Sequence, residues 1–167
     1  MLLRFEGGYS NNPHDKGNYN SKGELVGSKL GISAQTYETF TGKVPTVEDI
    51  KNINEALFIE ILRNNYWDKI KADLILSQPL ANLICDWLYN SGNSAILHTQ
   101  RVIGVKDDGI VGQKTIDAIN ASDPFLLFIR LHDDRITFVK NIVNNYPSQS
   151  VFLQGWLNRV NSITYTS

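Results

Sequence analysis

The sequence predicts an all-α fold, with one small β-hairpin as its only extended structure. After Gly31, apolar residues recur at helical spacing, capping residues precede these stretches, and glycine or proline follows most of them. The chain has 167 residues, of which 42% are hydrophobic and 20% charged, as in ordinary globular proteins. This composition argues against disorder and provides enough apolar surface for a substantial core.

The stretch before the first helix has the composition of an irregular loop. Six of the twelve glycines lie between Gly7 and Gly31, among several asparagines. Such residues favour turns, and a long irregular stretch in a small domain is usually functional or mobile. Residues 20–23, Asn-Ser-Lys-Gly, predict the hairpin inside this loop.

Three helices are predicted to follow this loop. Ser33 is placed to cap the first helix, and Gly42 is placed to end it. Thr46 and Asn54 are expected to cap the next two, the second of which continues to Trp67.

The second half of the chain is predicted to contain five helices. They cover 80–90, 94–105, 116–120 and 124–145, and the last begins at Ser150. The sequence "DDGIVGQKT", residues 107–115, predicts a tight loop. In it, Asp107 or Asp108 would cap a turn, and Gly109 and Gly112 would supply unusual backbone angles.

Charge and hydropathy exclude several classes of protein. The formal net charge is -1, without the basic excess that is typical of nucleic-acid-binding proteins. No apolar run approaches the ~18 residues that a bilayer-spanning helix needs, so membrane insertion is not expected. "MLLRF" is too short for a signal peptide, which predicts a protein made in the cytoplasm. A monomer is favoured.

Neither a metal site nor a cofactor is predicted. The three histidines are far apart and show no metal-ligand spacing. Residues 132–135, His-Asp-Asp-Arg, are expected to form a solvated face with local ion pairs. Cys85 lies among apolar residues and is interpreted as a buried structural thiol rather than a nucleophile.

Glu6 is the candidate for acid chemistry. It is the only glutamate before Glu24 and directly precedes Gly7 and Gly8, beside which a ligand can approach the backbone closely. Taken alone, an exposed glutamate before a glycine would explain these residues as well as a catalytic acid does. The remainder of the chain has to separate the two interpretations.

Several segments together resemble one known family. "EGGYSNNPHDKG", "GSKLGIS", "YWDKIKADL", "DWLYNSG" and "VIGVKDDGIVGQKT" are similar, in order and spacing, to the glycoside hydrolase family 108 N-acetylmuramidases of bacteria and phages. This resemblance covers essentially the whole chain. It implies a lysozyme-like fold with a catalytic region at 1–90. A predicted peptidoglycan-binding region at 91–167 would pack on it as one compact body.

The resemblance also implies the residues of the site. Glu6 matches the proposed catalytic acid of the family, and Asp15 matches an acidic loop residue that could serve as the second carboxylate. Lys29 and Leu30 depart from the Asn-Tyr that is common in the family. Aromatic and amide side chains suit N-acetylated sugars, and the candidate substrate-binding residues are Tyr9, Asn12, Ser28, Tyr66, Trp67, Asp86 and Asn90.

The activity implied is hydrolysis of the β-1,4 bond between N-acetylmuramic acid and N-acetylglucosamine, without a cofactor. The partner would be the peptidoglycan glycan strand, and the place of action the cell wall or periplasm. Asp15 is expected to lie nearer Glu6 than Asp86 does, whereas Asp86 also suits a structural role. The alternative is a non-catalytic peptidoglycan-binding or secretion-accessory protein, since some relatives are labelled secretion activators.

Overall fold

The computed structural model describes residues 7–165. The chain divides into two compact units, Met1–Asn64 and Asn65–Ser167. Eight α-helices and no β-sheet occur among the described residues, which confirms the predicted all-α class. No helix in this part of the chain is long and apolar enough to cross a membrane.

The N-terminal unit has three helices after its irregular loop: α1 (Ala34–Thr41), α2 (Val47–Lys51) and α3 (Glu55–Leu62). The predicted caps are confirmed, since the side chains of Ser33, Thr46 and Asn54 each accept a hydrogen bond from a first-turn backbone N–H. The chain continues from α3 through one π-helical turn, Arg63–Trp67, so the predicted helical course to Trp67 is also present.

The predicted hairpin is present only as an isolated antiparallel bridge between Tyr19 and Leu25. Gly23 supplies the left-handed turn, with φ +78°. Asn20 is buried, and its Oδ1 accepts hydrogen bonds from the N–H groups of Lys22 and Glu24, each at 3.0 Å. The buried Asn20 side chain therefore stabilises this turn, in place of the longer ladder of backbone hydrogen bonds that a regular hairpin would have.

The C-terminal unit consists of five helices and the segments that join them. These helices are α4 (Gln78–Ser91), α5 (Ser94–Ile103), α6 (Gln113–Ala121), α7 (Pro124–Asn145) and α8 (Ser150–Asn161). The predicted start of α6 was too late, because Gly112 has extended backbone and acts as its N-cap. Residues 113–115 are therefore helical rather than part of the loop.

The core of the C-terminal unit is centred on α4. Trp87 is fully buried, as are Leu83 and most of their neighbours on the helix. Cys85 is also buried, which confirms its interpretation as a structural thiol, and burial raises the pKa of this thiol to about 12.

Gly27 permits the closest packing in the irregular loop of the N-terminal unit. Its φ is +89°, and a Cβ atom there would lie 2.6 Å from the Ser10 carbonyl oxygen and 2.6 Å from the Tyr9 ring. Gly23 also has a positive φ, but no atom lies within 4 Å of its Cβ position. A substitution at Gly23 therefore tests backbone strain alone, whereas one at Gly27 tests backbone strain and steric overlap together.

We expect Gly27→Ala to lower the free energy of unfolding by about 2–4 kcal/mol, because overpacking adds to the cost of a left-handed alanine. Gly23→Ala should cost only the conformational part, about 1–2 kcal/mol. Urea unfolding followed by circular dichroism compares the two variants. Equal losses would show that Tyr9 does not pack tightly on Gly27.

Candidate functional site

Glu6 lies outside the described residues, and the structure of the candidate site begins at Gly7. The Gly7 carbonyl accepts a hydrogen bond from the Leu30 N–H at 3.1 Å. No heavy atom of the described residues, chain neighbours apart, lies within 4 Å of the Cβ positions of Gly7 and Gly8. The backbone that follows Glu6 is thus anchored at Gly7 and open to close approach.

The anchor is a tight turn in "GSKLGIS". Lys29 and Ile32 form an antiparallel bridge, and between them Leu30 and Gly31 have φ values of 51° and 72°. A non-glycine residue in this conformation is uncommon and is held only where the surrounding structure demands it. In this turn, the hydrogen bond from the Leu30 N–H to the Gly7 carbonyl helps to hold Leu30 in that conformation.

Ser28, a predicted substrate contact, is hydrogen-bonded through its backbone to another part of the loop. Its N–H and carbonyl exchange two hydrogen bonds with Ser10, each of 2.8 Å. This bridge and the bond from Leu30 hold residues 7–10 against residues 28–30. The side chain of Ser28 is half-buried.

Asn12 and Asp15 lie on the exposed part of the same loop. The Asn12 Oδ1 accepts a hydrogen bond from the His14 N–H at 3.0 Å, and the Asp15 Oδ1 accepts one from the Gly17 N–H at 2.9 Å. Asn18, which is fully buried, donates from its side chain to the Asn12 carbonyl at 2.9 Å. Sequence reasoning did not identify Asn18, whose contacts with this loop are not marked by any local pattern.

Tyr9 is half-buried rather than a free stacking surface. Its hydroxyl donates to the Val26 carbonyl at 3.1 Å, and the Lys51 Nζ lies 5.4 Å from the centre of its ring. These contacts fix the orientation of the ring within the N-terminal unit.

Tyr66 and Trp67 belong to the C-terminal unit and pack partly against its core. The Tyr66 ring meets Tyr89 edge to face, with 5.0 Å between centroids. The Trp67 Nε1 donates to the Asp73 carboxylate at 2.7 Å. Each ring is therefore held by a neighbour and keeps part of its surface exposed.

Asp86 is fully buried and forms ion pairs with two arginines. Its Oδ2 lies 2.7 Å from the Arg135 Nη2, and its Oδ1 lies 3.0 Å from the Arg159 Nη2. Burial lowers the pKa of Arg135, and the adjacent carboxylate opposes that change. The contacts give Asp86 the structural role that its helical position also suggested, and they turn its carboxylate away from solvent.

The expectation that 132–135 form a solvated face was wrong for Arg135. That side chain is 2% exposed, because it turns inward to Asp86. Asp134 instead pairs with His98, with 2.8 Å between Oδ2 and Nδ1. Both partnerships join α7 to other helices, so they were not visible as local spacing.

Asn90 is exposed and lines a small cavity in the C-terminal unit. Its Nδ2 donates to the Asp86 carbonyl at 3.0 Å. The cavity has a volume of about 90 Å³. The described residues that line it are Asn90, Ser91, Arg135, Val139, Ile142, Trp156, Arg159 and Val160.

A wider groove of about 440 Å³ lies elsewhere in this unit, beside the start of α4. Leu76 and Pro79 supply part of its apolar surface, whereas Ser77 and Asn120 supply polar groups. None of the described residues that line it is acidic or basic. These residues offer hydrogen bonds and apolar contact to a ligand.

The loop between α5 and α6 is organised by Gln100, whose importance the sequence did not reveal. Gln100 is 1% exposed; its Oε1 accepts from the Gly109 N–H at 2.9 Å, and its Nε2 donates to the Ile110 carbonyl at 3.0 Å. Asp108 caps the turn as predicted, accepting from the Ile110 N–H at 3.0 Å, and this hydrogen bond lowers the pKa of Asp108. These bonds account for the loop without a ligand.

Only one of the two glycines in that loop has an unusual backbone angle. Gly109 is left-handed, with φ +74°, and a Cβ atom there would overlap the Asn93 side chain. The prediction for Gly112 was wrong, since its φ of -95° and ψ of -177° are accessible to any residue. Among the described residues, no group of three or more histidine, cysteine or acidic side chains could hold a metal ion.

Comparison with known proteins gives the family of the chain. The family model described as "Glycosyl hydrolase 108" matches residues 1–92, more than half of the sequence. The chain belongs to the glycosyl hydrolase 108 family. A second model, "Predicted Peptidoglycan domain", matches residues 94–161.

A solved structure is similar to this chain over nearly its full length. The structure of Brucella abortus SagA is 27% identical in sequence, with a TM-score of 0.77. The match covers 97% of this chain and 86% of that one. No curated protein matches the chain. The two family models together give this member a peptidoglycan-related function.

We expect Gly109→Val to lower the free energy of unfolding by about 2 kcal/mol or more, because a β-branched residue is strained at positive φ and would displace Asn93. Gly112→Val is the matched control, and should cost about 1 kcal/mol or less because valine is a poorer N-cap than glycine. Thermal unfolding and co-sedimentation with purified walls should be measured for both. Intact stability with lost wall binding in both variants would make the loop a binding element.

Proposed function

We propose that this protein hydrolyses the β-1,4 bond between N-acetylmuramic acid and N-acetylglucosamine in peptidoglycan, with Glu6 as the general acid. Glycoside cleavage requires a carboxylic acid that protonates the leaving oxygen as an oxocarbenium-like transition state develops. The observation that carries this proposal is the glycosyl hydrolase 108 match over residues 1–92, which includes Glu6 and the two glycines after it.

The geometry after Glu6 supports this role. A glycine is often required by a left-handed conformation or by close packing. Neither explains Gly8, which has no positive φ and no heavy atom of the described residues, chain neighbours apart, within 4 Å of its Cβ position. A glycan that approaches the backbone would explain it. The bond from Leu30 to Gly7 holds that backbone while the ligand enters.

Asp15 is the proposed second carboxylate. Its Oδ1 caps a local turn, and its Oδ2 has no hydrogen-bond partner among the described residues. Such a group can orient water or the sugar while its other oxygen keeps the loop in place. We therefore propose that the Asp15 Oδ2 contacts the water or the sugar.

The remaining substrate contacts are proposed separately for each unit. In the N-terminal unit, Tyr9, Asn12 and Ser28 are carried on the loop that follows Glu6. In the C-terminal unit, Tyr66 and Trp67 supply partly exposed rings. Asn90 and Asp86 belong to the polar end of α4, where Asp86 acts through the arginines rather than by direct contact.

Binding to peptidoglycan without turnover is the second candidate function. The observation that favours it is the match of residues 94–161 to a peptidoglycan domain, which requires no catalytic group. Both candidates place the protein at a bacterial cell wall and suggest a bacterial or phage origin.

Glu6→Gln should reduce the rate of clearing of purified cell walls by about 10²–10⁴-fold, because glutamine keeps the shape and loses the transferable proton. The turbidity of a wall suspension measures this rate, and thermal unfolding should remain nearly unchanged. Glu24→Gln is the matched control in the same unit and should clear walls at the parental rate.

If Glu6→Gln clears walls at the parental rate, Glu6 is not the catalytic acid. If the parental protein sediments with walls but never clears them, the non-catalytic candidate replaces the hydrolase. Analysis of the released fragments would identify the bond, since a muramidase leaves N-acetylmuramic acid at the new reducing end.

Asp15→Asn tests the second carboxylate without disturbing the turn, because asparagine also offers a side-chain oxygen to the Gly17 N–H. Wall clearing should fall by about tenfold or more, while the unfolding temperature stays within the error of measurement. Retained clearing at the parental rate would leave Asp15 with only its capping function.

A further inference from the structure

Asn18 connects the exposed turn that carries Asp15 to the interior of the N-terminal unit. Asn18 is fully buried, and its Nδ2 donates to the Asn12 carbonyl at 2.9 Å. Its backbone carbonyl accepts from the N–H groups of Val26 and Gly27, which are buried, each at 2.9 Å. Asn18 is therefore bonded in two directions, to the exposed turn through its side chain and to the interior through its backbone.

The turn at 12–15 is closed by hydrogen bonds that meet at the Asn12 carbonyl. That oxygen accepts from the Asp15 N–H at 3.1 Å and from the Asn18 Nδ2 at 2.9 Å. The Asn18 N–H donates in turn to the Asp15 carbonyl at 3.1 Å. The Asp15 Oδ1 accepts from the Gly17 N–H, which fixes the carboxylate relative to this backbone. The position of the turn therefore determines where the Asp15 Oδ2 points.

Loss of the Asn18 amide should change the orientation of this turn more than the stability of the fold. Leucine has the same branched shape as asparagine and suits a buried position, but it has no hydrogen-bond donor. The Asn12 carbonyl would still accept from the Asp15 N–H, so removal of the amide does not leave this acceptor unpaired. The turn would lose the side-chain bond that ties it to a buried residue.

We propose that Asn18 is a positioning residue for the Asp15 carboxylate in peptidoglycan hydrolysis. It is fully buried and acts through Asp15: its amide holds the turn at 12–15, and the turn holds the carboxylate. Misplacement of a reacting group by about 1 Å can slow a reaction by about 10²-fold. This inference rests on the proposed function, because it requires Asp15 to act on the water or the sugar.

Asn18→Leu should lower the maximal rate of wall clearing by about tenfold, with little change in co-sedimentation with walls or in unfolding temperature. Asn20→Leu is the matched control, since Asn20 is a second buried asparagine of this loop whose Nδ2 donates to the Pro45 carbonyl. The control should lose more stability, because the Asn20 side chain makes several hydrogen bonds. Below its unfolding temperature it should clear walls at close to the parental rate. Equal losses of clearing in the two folded variants would overturn the proposal.

A double-mutant cycle with Asp15→Asn separates positioning from a general structural role. If Asn18 acts through Asp15, the variant that carries both Asn18→Leu and Asp15→Asn should clear walls within about twofold of Asp15→Asn alone. If the two losses multiply instead, Asn18 affects clearing independently of Asp15 and the proposal is overturned.

Asn18→Asp adds a pH profile. Its side chain has the shape of asparagine, but it can donate to the Asn12 carbonyl only when it is protonated, and burial favours the protonated form. The clearing rate of Asn18→Asp relative to Asn18→Leu should therefore rise as the pH falls. The ratio cancels the titration of Glu6 and Asp15, which both variants retain. If Asn18→Asp exceeds Asn18→Leu at no pH, the donor is unimportant and the proposal is overturned.

NMR of the labelled full chain tests the positioning without wall hydrolysis. In Asn18→Leu, the Asp15 carboxyl ¹³C signal should shift and the Asp15 amide should exchange faster with solvent, whereas both should be unchanged in Asn20→Leu. Unchanged Asp15 signals in Asn18→Leu overturn the positioning role whether or not the protein clears walls. If the signals change as expected and the parental protein never clears walls, the proposed hydrolysis fails while the structural link from Asn18 to Asp15 stands.

Discussion

The ion pairs of Asp86 fix the arrangement of three helices in the C-terminal unit. Asp86 lies on α4, Arg135 on α7 and Arg159 on α8, and the carboxylate contacts both guanidinium groups. Apolar packing is non-directional and tolerates sliding, whereas these contacts are satisfied in only one register. Their desolvation cost is offset by charge and hydrogen bonding together, so the arrangement depends on all three side chains.

The first part of the N-terminal unit has almost no regular secondary structure, so its backbone polar groups need other hydrogen-bond partners. Asn18 and Asn20 take over that task from buried positions. The Asn18 carbonyl accepts from the N–H groups of Val26 and Gly27, each at 2.9 Å, and the Asn20 side chain donates to the Pro45 carbonyl. These hydrogen bonds satisfy backbone groups of the loop that follows Glu6 without regular secondary structure.

The sequence predicted those features that depend on neighbours along the chain. The caps Ser33, Thr46 and Asn54 act within three residues, so composition and spacing identify them. The partners of Asp86 lie 49 and 73 residues away, and no local pattern marks them. For the same reason Arg135 was taken for a surface charge. The role proposed for Glu6 rests on family resemblance, because one glutamate before two glycines does not reveal its chemistry.

Cys85 is buried in α4, next to the carboxylate that holds the C-terminal unit together. Burial raises the pKa of its thiol to about 12, which strongly disfavours the thiolate at neutral pH. Thiol–disulfide exchange and oxidation to sulfenic acid both begin from an accessible thiolate. Burial in α4 therefore protects the single cysteine of the chain from both reactions.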